Sequence, residues 1–247
     1  MEQHHEPWLT AFFNDHLAGA GNTLLGLIGE HAHNPDRPWS IPVSMELVVG
    51  LVMVALFAWL RPRLSVDKPG KMQHLFEIVY GFLKGQSEDQ IGHHGSRYVY
   101  FFGTLFFFIL FANLLGSIPT FESPTMFPEV PLGCALAAFG YYNYVGMRAN
   151  GVGKYLAHFA GPMPLMAPLM IPIEIVSHLA RPMSLTIRLF ANMYAGEQVT
   201  MVFLGLTYLV MPTIFMGLHV FVSFLQAYIF TLLTMMYVAG AVAHDEH

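Results

Sequence analysis

Cysteine is almost missing from this 247-residue chain: Cys134 stands alone. That excludes a disulfide framework and any zinc or iron–sulfur site built from several thiolates. Charge is scarce too. Only 11% of residues are Asp, Glu, Lys or Arg, against about 25% in an ordinary soluble domain. Eleven basic residues and a formal net charge of −5 give no basic patch for a nucleic acid. What is present is apolar: 55% of residues are hydrophobic and the mean hydropathy is +0.50. Such a chain is neither disordered nor an ordinary soluble globule. It reads as a polytopic, all-α membrane protein with no bound cofactor.

The uncharged runs locate the spans, each needing about 20 mostly apolar residues. They fall at about 44–60, 98–118, 130–147, 168–204 and 207–242, giving five membrane helices in a membrane domain of residues 44–247. The last two are too long to stand upright: at about 1.5 Å per residue they outrun a hydrocarbon core of about 30 Å. Either they are broken, with Pro172, Pro182 and Pro212 as possible sites, or they tilt strongly. Tilt is the expectation, because the apolar character never lapses. Residues 71–92 place Leu75, Ile78, Val79, Phe82 and Leu83 at helical spacing beside Lys71, Glu77 and Lys84. That pattern predicts an amphipathic helix in the membrane interface.

Lys and Arg set the orientation. Arg61, Arg63, Lys68, Lys71, Lys84, Arg97, Arg148 and Lys154 fall on one side of this arrangement and Arg37 on the other. The expected topology has residues 1–43 outside the cell and the C-terminus in the cytoplasm. Residues 1–43 have neither the basic start and cleavage site of a signal peptide nor the composition of a transit peptide. A bacterial plasma (inner) membrane is therefore the expected location.

Charges inside the spans are the informative residues, since an arginine at a bilayer centre costs about 2.5–3.5 kcal/mol on insertion scales. The stretch from Tyr155 to His244 holds Glu174, Arg181, Arg188 and Glu197 as its only formal charges. Arg181 is close enough to a helix end to snorkel; Arg188 is not. Its neighbours at i±4 are Ser184 and Asn192, and Glu197 is nine residues away, about 13.5 Å along the axis. The expectation is a counter-ion from another polypeptide. Glu174, Ser177, His178, Arg181, Ser184, Arg188 and Asn192 form one polar stripe. If the last two helices make an antiparallel hairpin turning near Gly205–Thr207, Arg188 faces Gln226 and Glu197 faces His219 in one register. A histidine and a glutamate meeting in lipid could relay protons.

The run from Arg181 to Glu197, Arg-Pro-Met-Ser-Leu-Thr-Ile-Arg-Leu-Phe-Ala-Asn-Met-Tyr-Ala-Gly-Glu, resembles the signature of subunit a of the F-type ATP synthase. Leu225–Phe230 is similar to that family's second signature, with His219 seven residues before Gln226. The resemblance extends to Asn113 and to Pro172-Ile173-Glu174, from about residue 40 onward. Ala191 stands where the family usually has glycine, a small-for-small change. The resemblance implies the stator half of a proton-driven rotary motor, not an enzyme by itself. Its partners would be a ring of c subunits, b-type peripheral stalk subunits, the catalytic head and the lipid bilayer. Arg188 would face the ring carboxylate. Asn192, Glu197, His219 and Gln226 would line the outer half-channel, and Glu174, Ser177, His178 and Arg181 the cytoplasmic one.

The rival reading is a secondary ion transporter or antiporter that uses Arg188, Glu197 and His219 as an internal relay. The lack of an internal repeat speaks against it. A metalloenzyme is suggested only by 13 histidines, among which no HExxH occurs.

Overall fold

The computed structural model describes residues 8–28, 36–66, 68–92, 94–118, 121–151, 153, 155, 167–206 and 210–242. Seven α-helices account for most of them: α1 Trp8–Ile28, α2 Ile41–Leu60, α3 Lys71–Ile91, α4 Val99–Leu115, α5 Glu129–Asn150, α6 Ala167–Leu206 and α7 Val210–Val242. No strand occurs among the described residues. Two helical stretches, Ile41–Arg63 and Thr213–Val242, are long and apolar enough to cross a membrane; α4 is a shorter apolar helix.

The core is a bundle of α4, α5, α6 and α7, with α3 packed on α4 and α7. Phe102, Phe106 and Ile109 of α4 meet Ala135, Ala138 and Tyr142 of α5 and Ala227, Phe230 and Val238 of α7. Bulky rings on α4 oppose small residues on α5, which lets the layers interdigitate. From α6 only a narrow stripe enters this core: Leu185, Leu189 and Met193, at i, i+4 and i+8. The rest of α6 turns outward, with Val176, Leu179, Met183, Ile187 and Val202 all more than half exposed.

The long helices are not broken. The 40 residues of α6 run through both Pro172 and Pro182 as one helix, about 60 Å long, and the 33 residues of α7 do the same over about 50 Å. The backbone stays helical through each proline, and the stripe packed in the bundle, Leu185, Leu189 and Met193, begins just after Pro182. The expected turn falls partly on residues 207–209, outside the described residues, as do Lys154 and His244.

Two features add to the reading above. Residues 8–28 form a helix where only an outer segment was expected. It bends at Leu17, whose backbone leaves the helical region (φ −123°, ψ 16°). The indole N–H of Trp39 donates to the Leu17 carbonyl (2.9 Å), and the Asn14 side chain bonds both backbone groups of Trp39. Thr10 and Ser44 pair their hydroxyls at 2.8 Å. These contacts are tertiary, so no local pattern announces them. Second, α3 buries Leu83 but leaves Leu75, Ile78 and Phe82 exposed. Its apolar face is split between the bundle and the outside, as suits a helix touching protein on one flank and an apolar medium on the other.

The segment after α4 folds back sharply. A Cβ on Gly116 would stand 2.6 Å from the Ser123 Cβ, so only glycine lets the returning chain lie this close. A short 3-10 turn, Pro124–Met126, then wedges between α2, α4, α5 and α6. The joint is polar. Ser123 Oγ bonds the Ala112 carbonyl (3.0 Å) and the Thr125 hydroxyl (2.7 Å), and Thr125 Oγ1 donates to Asn113 Oδ1 (2.6 Å).

Candidate proton path along the long helices

The polar groups of α6 gather at two places, separated by Arg188. Toward the C-terminal half of α6, the partner is α7. His219, Ser223 and Gln226 share one face of α7, at i, i+4 and i+7, and all are at least nine-tenths buried. Asn192 Nδ2 donates to Gln226 Oε1 at 2.9 Å. Asn113 of α4 reaches the same face, its amide 3.4 Å from the Ser223 carbonyl. Three buried polar atoms in this seam, His219 Nε2, Ser223 Oγ and Gln226 Nε2, have no hydrogen-bond partner among the described residues. Orphaned groups of this kind are costly when dry, at about 1–3 kcal/mol each, and are normally met by water. A cleft of about 250 Å³ adjoins them, lined by Asn192, Gly196, Thr200, His219 and apolar neighbours.

The hairpin register is close to the expected one and differs in detail. Gln226 meets Asn192 and not Arg188, one helical turn along α6. Two carboxamides match donor to acceptor, which an arginine and a glutamine do less fully. His219 lies against Gly196, where an added Cβ would be 3.3 Å from Nδ1. Glu197 is the next residue, so its carboxylate points about 100° around the helix. Among the described residues, no hydrogen bond or ion pair joins Glu197 to His219. Glu122, in the folded-back segment before the 3-10 turn, is near enough to act electrostatically on Glu197.

Toward the N-terminal half of α6, the partner is α5. The Tyr142 hydroxyl and His178 Nδ1 are 2.9 Å apart, and His178 Nε2 lies 3.6 Å from Glu174 Oε1. Arg181 sits over the rings of Tyr142 (5.7 Å) and Tyr237 (5.3 Å), a cation–π arrangement that suits a guanidinium in apolar surroundings. Tyr155 donates to Asn143 Oδ1 at 2.7 Å beside this group. Ser177, from the same polar stripe, is exposed and stands apart.

Arg188 lies between the two clusters, partly buried. Among the described residues it makes no hydrogen bond or ion pair. Small exposed side chains flank it on the outward face of α6: Ser184, Ala191 and Ala195.

A family model for the ATP synthase A chain matches residues 43–239, most of the chain. The chain belongs to the ATP synthase A chain family. It is 72% identical over 233 residues to ATP synthase subunit a of Solibacter usitatus, covering 94% of this chain and 99% of that one. It is 48% identical over 240 residues to ATP synthase subunit a of Koribacter versatilis, covering 97% and 98%. It is 39% identical over 218 residues to ATP synthase subunit a of Aquifex aeolicus, covering 85% and 99%.

Within this chain the sequence marked Glu174, Ser177, His178, Arg181, Arg188, Asn192, Glu197, His219 and Gln226. It named Asn113 without placing it beside them, and it missed Tyr142, Ser223 and Glu122. Ser223 carried a signal, its spacing from His219 and Gln226 on one face. Tyr142 and Glu122 carried none, since each reaches the site only through tertiary packing.

Proposed function

We propose that this chain is the stator subunit of a rotary ATP synthase, the ion-translocating part of the membrane sector and not a catalyst by itself. It sits in the inner membrane of a bacterium, N-terminus outside and C-terminus in the cytoplasm. It works against a ring of c subunits and is held by b-type stalk subunits connected to the catalytic head. The observation that carries this reading is Arg188, a permanent cation without a partner among the described residues, on the outward face of α6 between two polar clusters.

The physics of the arrangement supports the role. An ionisable group in the bilayer needs a partner, and a ring carboxylate supplies one at each step. An adjacent cation favours the ionised carboxylate, so a ring site arriving at Arg188 gives up its proton. Arginine suits the position because it keeps its own proton (pKa above about 12) and cannot pass one between the two sides. Asn192, Glu197, His219 and Gln226, with their hydratable seam, form the outer half-channel that loads the ring. Glu174, Ser177, His178 and Arg181 form the cytoplasmic one that unloads it. Each elementary charge that crosses brings about 2.3 kcal/mol per 100 mV. Serine and alanine beside Arg188 allow close approach of a partner helix.

Crosslinking tests this directly. Cysteine at Ile187 or Ala191, both on the outward face, should crosslink to a cysteine-bearing c subunit in membranes. Cysteine at Leu185, which faces the core, should not. Crosslinking from position 185 but not from 187 or 191 overturns the assignment of the ring-facing surface.

A further inference from the structure

An open groove lies apart from the polar seam, on the face of α2 turned away from the bundle. Helix α2 buries Met45, Val49 and Met53 and leaves Val43, Leu47, Leu51 and Val54 exposed. Helix α1 stands beside that exposed face. The groove between them measures about 1090 Å³, and Trp8, Phe12, Glu46, Leu47, Gly50 and Val54 are among its lining residues. Its walls are pinned. The Thr10 and Ser44 hydroxyls pair at 2.8 Å, the Asn14 side chain holds the Trp39 backbone, and the Trp8 ring meets Phe121 edge-on at 6.2 Å. Gly50 hollows the floor: a Cβ there would meet nothing within 4 Å, so no protein contact requires the glycine. The lining stops at Val54. Phe57, the next residue of that stripe, packs instead on Phe76 of α3 and Phe107 of α4, with ring centroids 5.5 and 5.7 Å away.

One charged side chain lines this apolar space. Glu46 makes no hydrogen bond or ion pair among the described residues, and no basic residue lines the groove. A carboxylate in apolar surroundings calls for a cation or a donor. We infer that the groove binds one phospholipid whose head group carries a primary ammonium, of the phosphatidylethanolamine class. The ammonium donates to the Glu46 carboxylate, the phosphate reaches outward to water, and an acyl chain lies over Leu47, Gly50 and Val54. The dimensions fit this occupant. Glu46 is five residues from the start of α2, about 7.5 Å along the axis, within reach of a head group. From Val43 to Val54 the floor runs about 16 Å, half of a hydrocarbon core of about 30 Å and so the depth of one leaflet. A membrane-crossing helix of another subunit would need both halves, and the groove supplies one. A choline head group has no N–H to donate, and a glycerol head group brings an anion without a cation. This site is separate from Arg188 and both polar clusters, so it stands or falls apart from the proton path.

The test uses the whole ATP synthase in nanodiscs of equal phosphatidylethanolamine and phosphatidylcholine. A benzophenone side chain replaces Leu51, at the rim of the groove, or Val52, which is exposed but does not line it. After irradiation the adducts are identified by mass. From position 51 the ethanolamine lipid should exceed the choline lipid about three- to fivefold, the effect of one exposed charged pair. From position 52 the two should be equal. Glu46→Gln should abolish the preference at position 51 while leaving the total of lipid adducts unchanged. Gly50→Leu, which fills the floor, should remove most lipid adducts from position 51 and none from position 52. Equal labelling of the two lipids from position 51, or a preference that survives Glu46→Gln, overturns the inference. Crosslinking from position 51 to another subunit in place of lipid overturns it too, since a partner helix then fills the groove. If a variant fails to assemble, the ratio at position 51 against that at position 52 in the otherwise unaltered complex decides alone.

Discussion

The two polar clusters along α6 are built on opposite principles. The one shared with α5 is closed by protein groups: Tyr142 on His178, His178 on Glu174, and Arg181 over two tyrosine rings. The one shared with α7 is left open, with His219, Ser223 and Gln226 each keeping a buried polar atom without a partner among the described residues. Side-chain partners fix positions, whereas water-filled gaps allow protons to move between groups that never touch. The comparison teaches that, on the proposed reading, a proton path need not look alike at its two ends: one end would be a hydratable seam and the other a set of aromatic and imidazole contacts.

The largest effect should come from the cation between them. Arg188→Ala should leave an assembled complex whose proton-driven ATP synthesis is below detection, a loss of at least about 10²-fold. Arg188→Lys should be nearly as damaging, because lysine sheds its proton in apolar surroundings and lacks the planar fork. Synthesis rates in proteoliposomes measure both. ATP-driven pumping at the normal rate in Arg188→Ala would mean the two clusters are not separated by this residue at all.

A smaller effect sharpens the idea of an open seam. Glu197 and His219 share a register but not a bond, since His219 lies on Gly196. If water joins them, exchanging the two (Glu197→His with His219→Glu) should recover several-fold more synthesis than the product of the single changes. A double-mutant cycle reads this coupling. No recovery would mean that the seam does not connect these groups.

The smallest effect is expected at the closed end. Tyr142→Phe keeps the ring under Arg181 but removes the hydroxyl from His178 Nδ1. Leaving a buried group unsatisfied costs about 1–3 kcal/mol, so the complex should lose a few degrees of thermal stability and about two- to fivefold in synthesis rate. Tyr237→Phe, which leaves the His178 contact alone, should change neither. Equal behaviour of the two variants would show that the hydroxyl contact does not organise this cluster.

These outcomes also measure what the amino-acid order reveals unaided. Arg188 was legible because a charge in a long apolar run is conspicuous in one dimension, and the length of α6 and α7 followed from counting. The hairpin register came within about one turn because helical spacing constrains it. Helix α1 was not legible: Asn14, Trp39 and Ser44 hold it through contacts spanning 22 to 34 residues. Glu122 was hidden for a similar reason. A loop with two carboxylates and no basic residue reads as outside, and the close approach at Gly116 turns it back into the bundle.

The unbroken course of α6 has a mechanical consequence. A helix hinged at Pro172 or Pro182 would absorb a sideways push by flexing at the hinge. This one continues through both prolines and is braced by α5 and α7. A ring turning against its outward face would meet a strut rather than a spring. The charge on that strut would keep its height relative to both clusters under load, so that tangential force is returned to the ring instead of being lost as bending.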